Sequence, residues 1–203
     1  MIKIDPRKLA WTLLGLAILY GGYDWWVHRP LQQPPGILVA ESPQQTALQQ
    51  AQPWTHKDYL IKPLAEYQLQ ARVLGRETYR FDATADLSPL DLALGWGPLS
   101  DSAVLEQIEF SQSSRWLSWR FDMPPVPPAE IARNVANVHV IPANPRIERL
   151  LGKVRPGQIA ELSGYLVEVR RGGVGSPWAS SLSRDDTGKG ACEIMWVEHL
   201  RLL

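Results

Sequence analysis

The sequence predicts a mainly β (α+β) chain, an N-terminal transmembrane helix followed by a β-rich domain, with a small OB or SH3-like barrel as its architecture. Three observations lead there. The first apolar stretch, Leu9 to Val27, holds one charged residue, Asp24. Nine tryptophans and 17 prolines in 203 residues favour strands punctuated by loops over a helical bundle. The rest of the chain reads as short runs of alternating apolar and polar residues separated by glycine and proline.

Residues 1–29 read as a membrane anchor. As a helix, Leu9 to Val27 would run about 28 Å, close to the thickness of bilayer hydrocarbon. Lys3, Arg7 and Lys8 precede it, and Trp25 and Trp26 follow beside His28 and Arg29, as in an interfacial aromatic belt. The basic flank predicts a cytoplasmic N-terminus and a periplasmic C-terminal domain, in a single-pass inner-membrane protein. "YGGYDWW" holds no small-x-small cleavage site, so the segment is expected to be retained. Gly15, Gly21 and Gly22 would allow a second helix to approach, although they form no GxxxG pair.

Residues 30–53 are rich in Gln and Pro and read as an extended tether, with one apolar run, Ile37 to Ala40, able to add a strand to the body or to a partner's sheet edge. The β-rich domain is expected over 54–203. Tyr67, Leu69, Ala71 and Val73 alternate with polar residues, as in a strand with one buried face. Ser88 and Pro89 suggest a capped short helix that Gly95 and Gly97 end around Trp96. A second helical turn is expected at Asp101 to Leu105, and two strands, Ile108–Ser111 and Arg115–Phe121, flank a Ser-rich turn. A proline connector leads to a short helix over Ala129 to Asn134. "NVHVIPAN" is a strand ended by Pro142, "PRIERLLGKV" a short helix with proline in its first turn, and "QIAELSGYLVEVRR" a strand bent or bulged at Gly164. After the loop "GGVGSPW", the segment from Ser180 to the end is a candidate hairpin whose second arm places Cys192, Ile194 and Trp196 on one face.

Lys plus Arg equal Asp plus Glu, 21 each, so charge gives no reason to expect nucleic acid as a partner. One cysteine excludes an intrachain disulfide framework and a Cys-rich zinc site. There is no Walker motif, no HExxH and no dinucleotide fingerprint, and no metal or cofactor is expected.

Two groups of residues are candidates for function. Cys192 is a potential nucleophile if His139 or His199 can act as its base, with the "RDDTGKGA" turn supplying oxyanion donors. A cysteine opening an apolar strand is more often a small core residue. His199 lies seven positions on, so along a straight strand it falls on the opposite face, more than about 20 Å away. His139 could reach Cys192 only through tertiary folding. The adjacent acids Asp185 and Asp186 lack the spaced oxygens of a calcium loop, and a turn is their simpler role. The other group is a candidate binding surface, Trp96, Arg115, Trp116, Trp119, Arg184, Asp185 and Asp186, aromatic and charged side chains suited to a protein partner or a sugar. Trp116 and Trp119 are an odd number apart, so one is expected to face inward.

The blocks "LSPLDLALGWGPLSD", "NVHVIPAN" and "SSLSRDDTGKGACEIMWVE" resemble the signature blocks of an uncharacterised family of bacterial single-pass membrane proteins. The resemblance implies that these loops matter, and implies no activity. The expected function is a membrane-tethered, non-catalytic binding or assembly module of the cell envelope, acting through the bilayer and a membrane or envelope protein. The alternatives are an envelope thiol hydrolase or transferase using Cys192 with His139, and a glycan-binding domain.

Overall fold

The computed structural model describes residues 5–174, 176–183 and 192–203. Its first element, α1 (Pro6–His28), starts where Asp5 accepts a hydrogen bond from the Arg7 amide at 2.9 Å, and Pro6 stands in the first turn. None of its residues is buried. No helix among the described residues is long and apolar enough to cross a membrane, which overturns the expected transmembrane helix. The inner-membrane, single-pass placement with a periplasmic domain rested on that helix and is withdrawn with it. The physical reason lies in the second half of α1. The strongly apolar part, Leu9 to Leu19, would span only about 16 Å, and beyond it Tyr20, Gly21, Gly22, Tyr23 and Asp24 dilute the transfer free energy.

The Gln/Pro-rich stretch is extended and bonded along the body. Leu31 N–H donates to Pro156 O at 2.8 Å, Gly36 N–H to Asp101 Oδ1 at 2.8 Å, and Val39 N–H to the Ser100 hydroxyl at 3.0 Å. Val39, from the Ile37–Ala40 run, is buried without forming a strand. A short strand follows, β1 (Gln44–Ala47), then β2 (Trp54–His56) and the long β3 (Tyr59–Thr78). Alternate residues of β3 from Tyr59 to Ala71 are buried, the periodicity expected of a strand with one wet face.

The segment read as a helix at Pro89 is instead a strand, β4 (Leu90–Gly95). A short apolar run carries no decisive period, and pairing on both sides, with β3 and with Val135–Pro142, settles the matter. All six residues of β4 are buried. A 3-10 turn (Gly97–Ser100) and α2 (Ser102–Leu105), capped by Asp101, lead to a hairpin of β5 (Glu109–Ser113) and β6 (Trp116–Arg120). Next come α3 (Pro128–Arg133) and β7 (Val135–Pro142), every residue of which is buried. Asn144 caps α4 (Pro145–Leu151) by accepting from the amides of Arg146 and Ile147. β8 (Ile159–Arg171), the short β9 (Trp178–Ala179) and β10 (Glu193–Leu202) complete the chain.

The domain is mainly β, as expected, with one eight-stranded sheet and the two-stranded β5–β6 sheet. Pairings run from β3 to β4, β7, β10 and β8 and return to β3, so five strands form a closed circuit. β10 lies parallel to β7 and antiparallel to β8, and Ser181 N–H donates to Cys192 O and Ile194 N–H to Ser180 Oγ, tying the start of the strand to the expected first hairpin arm. Inside the circuit pack Leu69, Leu92, Val138, Leu162 and Met195, closed at one end by Ile147 and Leu151 of α4. Ile194 and Trp196 belong to a second cluster with Ile61, Ile141 and Val169. The first half of β10, Glu193 to Val197, is therefore covered on both faces, which removes the wet-and-dry alternation expected from Cys192 onward. Each fully buried Leu, Ile or Val contributes about 1.5–3 kcal/mol.

Candidate functional site

Three neighbouring strands each bring one reactive side chain to a common place. Asp91 of β4 and His139 of β7 are direct register partners. On the other side of β7, Ile194 of β10 pairs with His139, so Cys192, just before that strand, reaches the same region. The side chains of Asp91 and His139 are almost wholly buried, at 0% and 3% exposure, whereas Cys192 is half-buried. His139 Nδ1 stands 2.9 Å from Asp91 Oδ1, at contact distance but out of line for a good hydrogen bond. Cys192 lies near enough to the same ring to favour its protonation.

Burial acts most strongly on His139 and by itself would lower its pKa. The hydrogen bonds and negative charge of Asp91 and Cys192 together outweigh that effect and raise it from 6.5 to about 9. At neutral pH the folded protein therefore holds the His139 imidazole protonated, beside Asp91 and Cys192. The Trp178 ring lies 5.0 Å from the imidazole, centroid to centroid, and covers it.

Arg115 fixes the carboxylate. It sits in the two-residue turn of the β5–β6 hairpin, where Ser114 and Arg115 both have positive φ, 51° and 70°. Such a turn matches the twist of a hairpin, but glycine or asparagine is its usual occupant. Here the side chain offsets the strain. Its guanidinium donates to Asp91 Oδ1 at 2.7 Å, to both oxygens of Asp82 at 2.9 and 3.0 Å, and to Ser88 O at 2.8 Å, and it stacks 3.7 Å from the Tyr79 ring centre. Burial would raise the Asp82 pKa, yet the hydrogen bonds and charge of Arg115 and the Thr84 amide hold it below the usual carboxylate range. Asp91 Oδ2 has no partner among the described residues.

The backbone of the same turn faces the sulfur. Arg115 O lies 4.0 Å from Cys192 Sγ and accepts from Asn137 Nδ2 at 3.0 Å. Asn137 Nδ2 is also 4.0 Å from Sγ, and its Oδ1 is held by Gln112 at 2.9 Å. An amide donor thus sits beside the thiol, fixed by its own bonds.

Of the residues singled out in the sequence, Cys192, His139 and Arg115 come together. Trp96 is 1% exposed and belongs to the core. Trp116 is exposed and Trp119 is half-buried against Leu99, Ile108 and Ile131, the inward–outward split expected from their spacing. His199 is exposed on the far part of β10. Arg184, Asp185 and Asp186, with the whole "RDDTGKGA" turn, lie outside the described residues. Sequence reasoning missed Asp91, Asn137 and Asp82. Asp91 had a signal, a lone acid in the apolar run "LDLALG", which the helical reading hid. No group of three or more His, Cys, Asp or Glu able to hold a metal ion occurs among the described residues. Against protein-family models, curated proteins and solved structures, the chain has no match.

Proposed function

We propose that the chain is a thiol-dependent hydrolase or acyl transferase in which Cys192 is the nucleophile, His139 the general base and Asp91 the group that orients it. The observation that carries this reading is the placing of buried Asp91, buried His139 and half-buried Cys192 on β4, β7 and at the start of β10, side by side, with His139 Nδ1 2.9 Å from Asp91 Oδ1. A nucleophile, a base within reach and a third group that fixes the base is the arrangement acyl transfer requires.

In the resting site His139 already holds the proton that Cys192 gives up, and in the first step Sγ bonds to the substrate carbonyl carbon. The bond to the leaving group then breaks, and His139 returns the proton to that group, leaving a thioester. Water or an acceptor nucleophile attacks the thioester with His139 taking its proton, and His139 keeps that proton as Sγ is freed and the acid or transfer product departs. Asn137 Nδ2 is the described donor placed to stabilise the intermediate oxyanion. Arg115 is a positioning residue that acts through Asp91. The five-strand circuit supports reading the fold as an OB-like barrel, with α4 between its third and fourth strands and the third and fifth strands parallel. That fold positions the residues and assigns no activity.

p-Nitrophenyl acetate tests the reading. The chain should release one equivalent of nitrophenolate in a burst that Cys192→Ser abolishes and that His139→Gln slows about hundredfold or more. A burst equally fast in His139→Gln, or none at all in a chain whose Cys192 is alkylated readily, sinks the enzyme reading. The non-catalytic, partner-binding reading would then take its place. It draws on Phe81 and Trp116, exposed next to the two ends of the Asp82–Arg115 ion pair.

A further inference from the structure

We propose that the outer face of β1, β3, β8 and β10 is a binding trough for a linear, uncharged oligosaccharide. This inference is independent of the Cys192 reading. Three adjoining hollows of about 660, 290 and 470 Å³ share lining residues and open along one side to solvent.

The floor of the trough is a grid set by strand register. Gln70, Gln68 and Glu66 of β3 pair with Glu161, Ser163 and Tyr165 of β8. Gln44 and Thr46 of β1 extend the last two rows on one side, and His199 and Arg201 of β10 extend the first two on the other. These positions alternate with the core residues Leu69, Tyr67 and Leu162, so all of them point outward together. Rows two residues apart repeat about every 7 Å, a spacing suited to an extended chain molecule.

Chemistry selects the occupant. Carboxamides and hydroxyls carry both donors and acceptors, as the hydroxyls of a sugar do. The side chains of Gln44, Gln68 and Ser163 make no hydrogen bond to another described residue, so they are available to a ligand. Glu161 is neutralised by Arg201 through two contacts of 2.7 Å. Glu66 and Glu198 repel an anionic polymer from the middle of the trough. At one end stand Trp54 and Tyr165, whose rings meet edge to face at 6.1 Å and offer apolar surface to a sugar's C–H face.

Glu198 is the central feature. The register of β10 against β8 shifts between Val197 and His199, a bulge that leaves Glu198 without an opposite residue. Gly164 pairs with Val197 at the bulge, and a Cβ there would lie 2.0 Å from Trp196 O, so the close approach requires glycine. The bulge turns Glu198 into all three hollows. A carboxylate aimed at the centre of an amide-lined trough can accept two hydroxyl hydrogen bonds at once.

Titration calorimetry of the whole chain with cellohexaose, chitohexaose and maltohexaose, and with a lysine-rich hexapeptide as counter-probe, tests the proposal. At least one hexasaccharide should bind with a micromolar to millimolar Kd, and Glu198→Ala and Gln68→Ala should each weaken it about tenfold. Both side chains are exposed, so thermal unfolding should stay unchanged, and Cys192→Ser should bind like the wild type. Three results would overturn it: no heat from any hexasaccharide at about 10 mM, binding that survives both substitutions together, or binding of the peptide alone.

Discussion

The polar cluster around Asp91 and the trough on the outer face are made by many of the same strands, yet they treat polar groups in opposite ways. In the cluster, Arg115, Asp82, Asp91, His139 and Asn137 are held by one another, and Asp91 and His139 are nearly out of water. In the trough, Gln44, Gln68, Ser163 and Glu198 present side chains that bond to no other described residue. Low dielectric inside makes partners obligatory and raises the energy at stake in each contact, while water outside satisfies whatever the protein leaves open. An interlocked, dry cluster suits chemistry with fixed geometry. An open array of donors and acceptors suits reception of a ligand.

Substitutions can break or sharpen that contrast. The largest effect is expected from Arg115→Ala, which strands the carboxylate of Asp91 in the interior. Loss of one partner of a buried ion pair costs about 3–5 kcal/mol, read from the urea midpoint. A change below about 1 kcal/mol would mean the cluster is far wetter than its burial indicates.

Next comes the pH dependence of stability. His139 takes up a proton more readily folded than unfolded, so its contribution is complete below about pH 6.5 and is lost as the pH rises toward 9. The carboxylate of Asp91 and the thiol of Cys192 favour the charged ring, while Arg115 and the cover of Trp178 oppose it. Across that window the wild type should lose up to about 3 kcal/mol that His139→Gln does not lose. Equal slopes in the two proteins would show that the imidazole is neutral throughout.

Gly164→Ala should have an intermediate effect, about 1–3 kcal/mol, because the new methyl group must push Trp196 O away. The same variant should disturb the trough through Glu198, with little change at Cys192. The smallest effect belongs to Arg201→Ala. Its pair with Glu161 is solvent-exposed, so the urea midpoint should barely move, and any shift should shrink further with added salt. A loss as large as that of Arg115→Ala would erase the distinction between the two regions.

Parts of both regions were legible in the sequence. The alternation around Leu69 placed one face of β3 in the core and the other outside, and Gly164 marked the bulge that directs Glu198. Cys192 and His139 were visible as a nucleophile and a base that only folding could join. Asp91 was not connected to them, because "LDLALG" fits a short helix as well as a buried strand. The apolar N-terminal stretch misled in the other direction. Its length suggested a span, but the glycines, tyrosines and Asp24 in its second half leave too little apolar length to cross a membrane.

By itself the sequence determined the features whose causes lie within a few residues. Pro142 ends β7, Asn144 and Pro145 start α4, Asp101 caps α2, and the Ser-rich turn joins β5 to β6. Tertiary structure alone decided that β4 is a strand, that the first half of β10 is covered on both faces, and that residues 91, 115, 139 and 192 share one site. Caps, prolines and turns act through the local backbone and can be read along the chain. Strand register and burial depend on partners dozens of residues away, and the meeting of Asp91, His139 and Cys192 exists only once β4, β7 and β10 lie side by side.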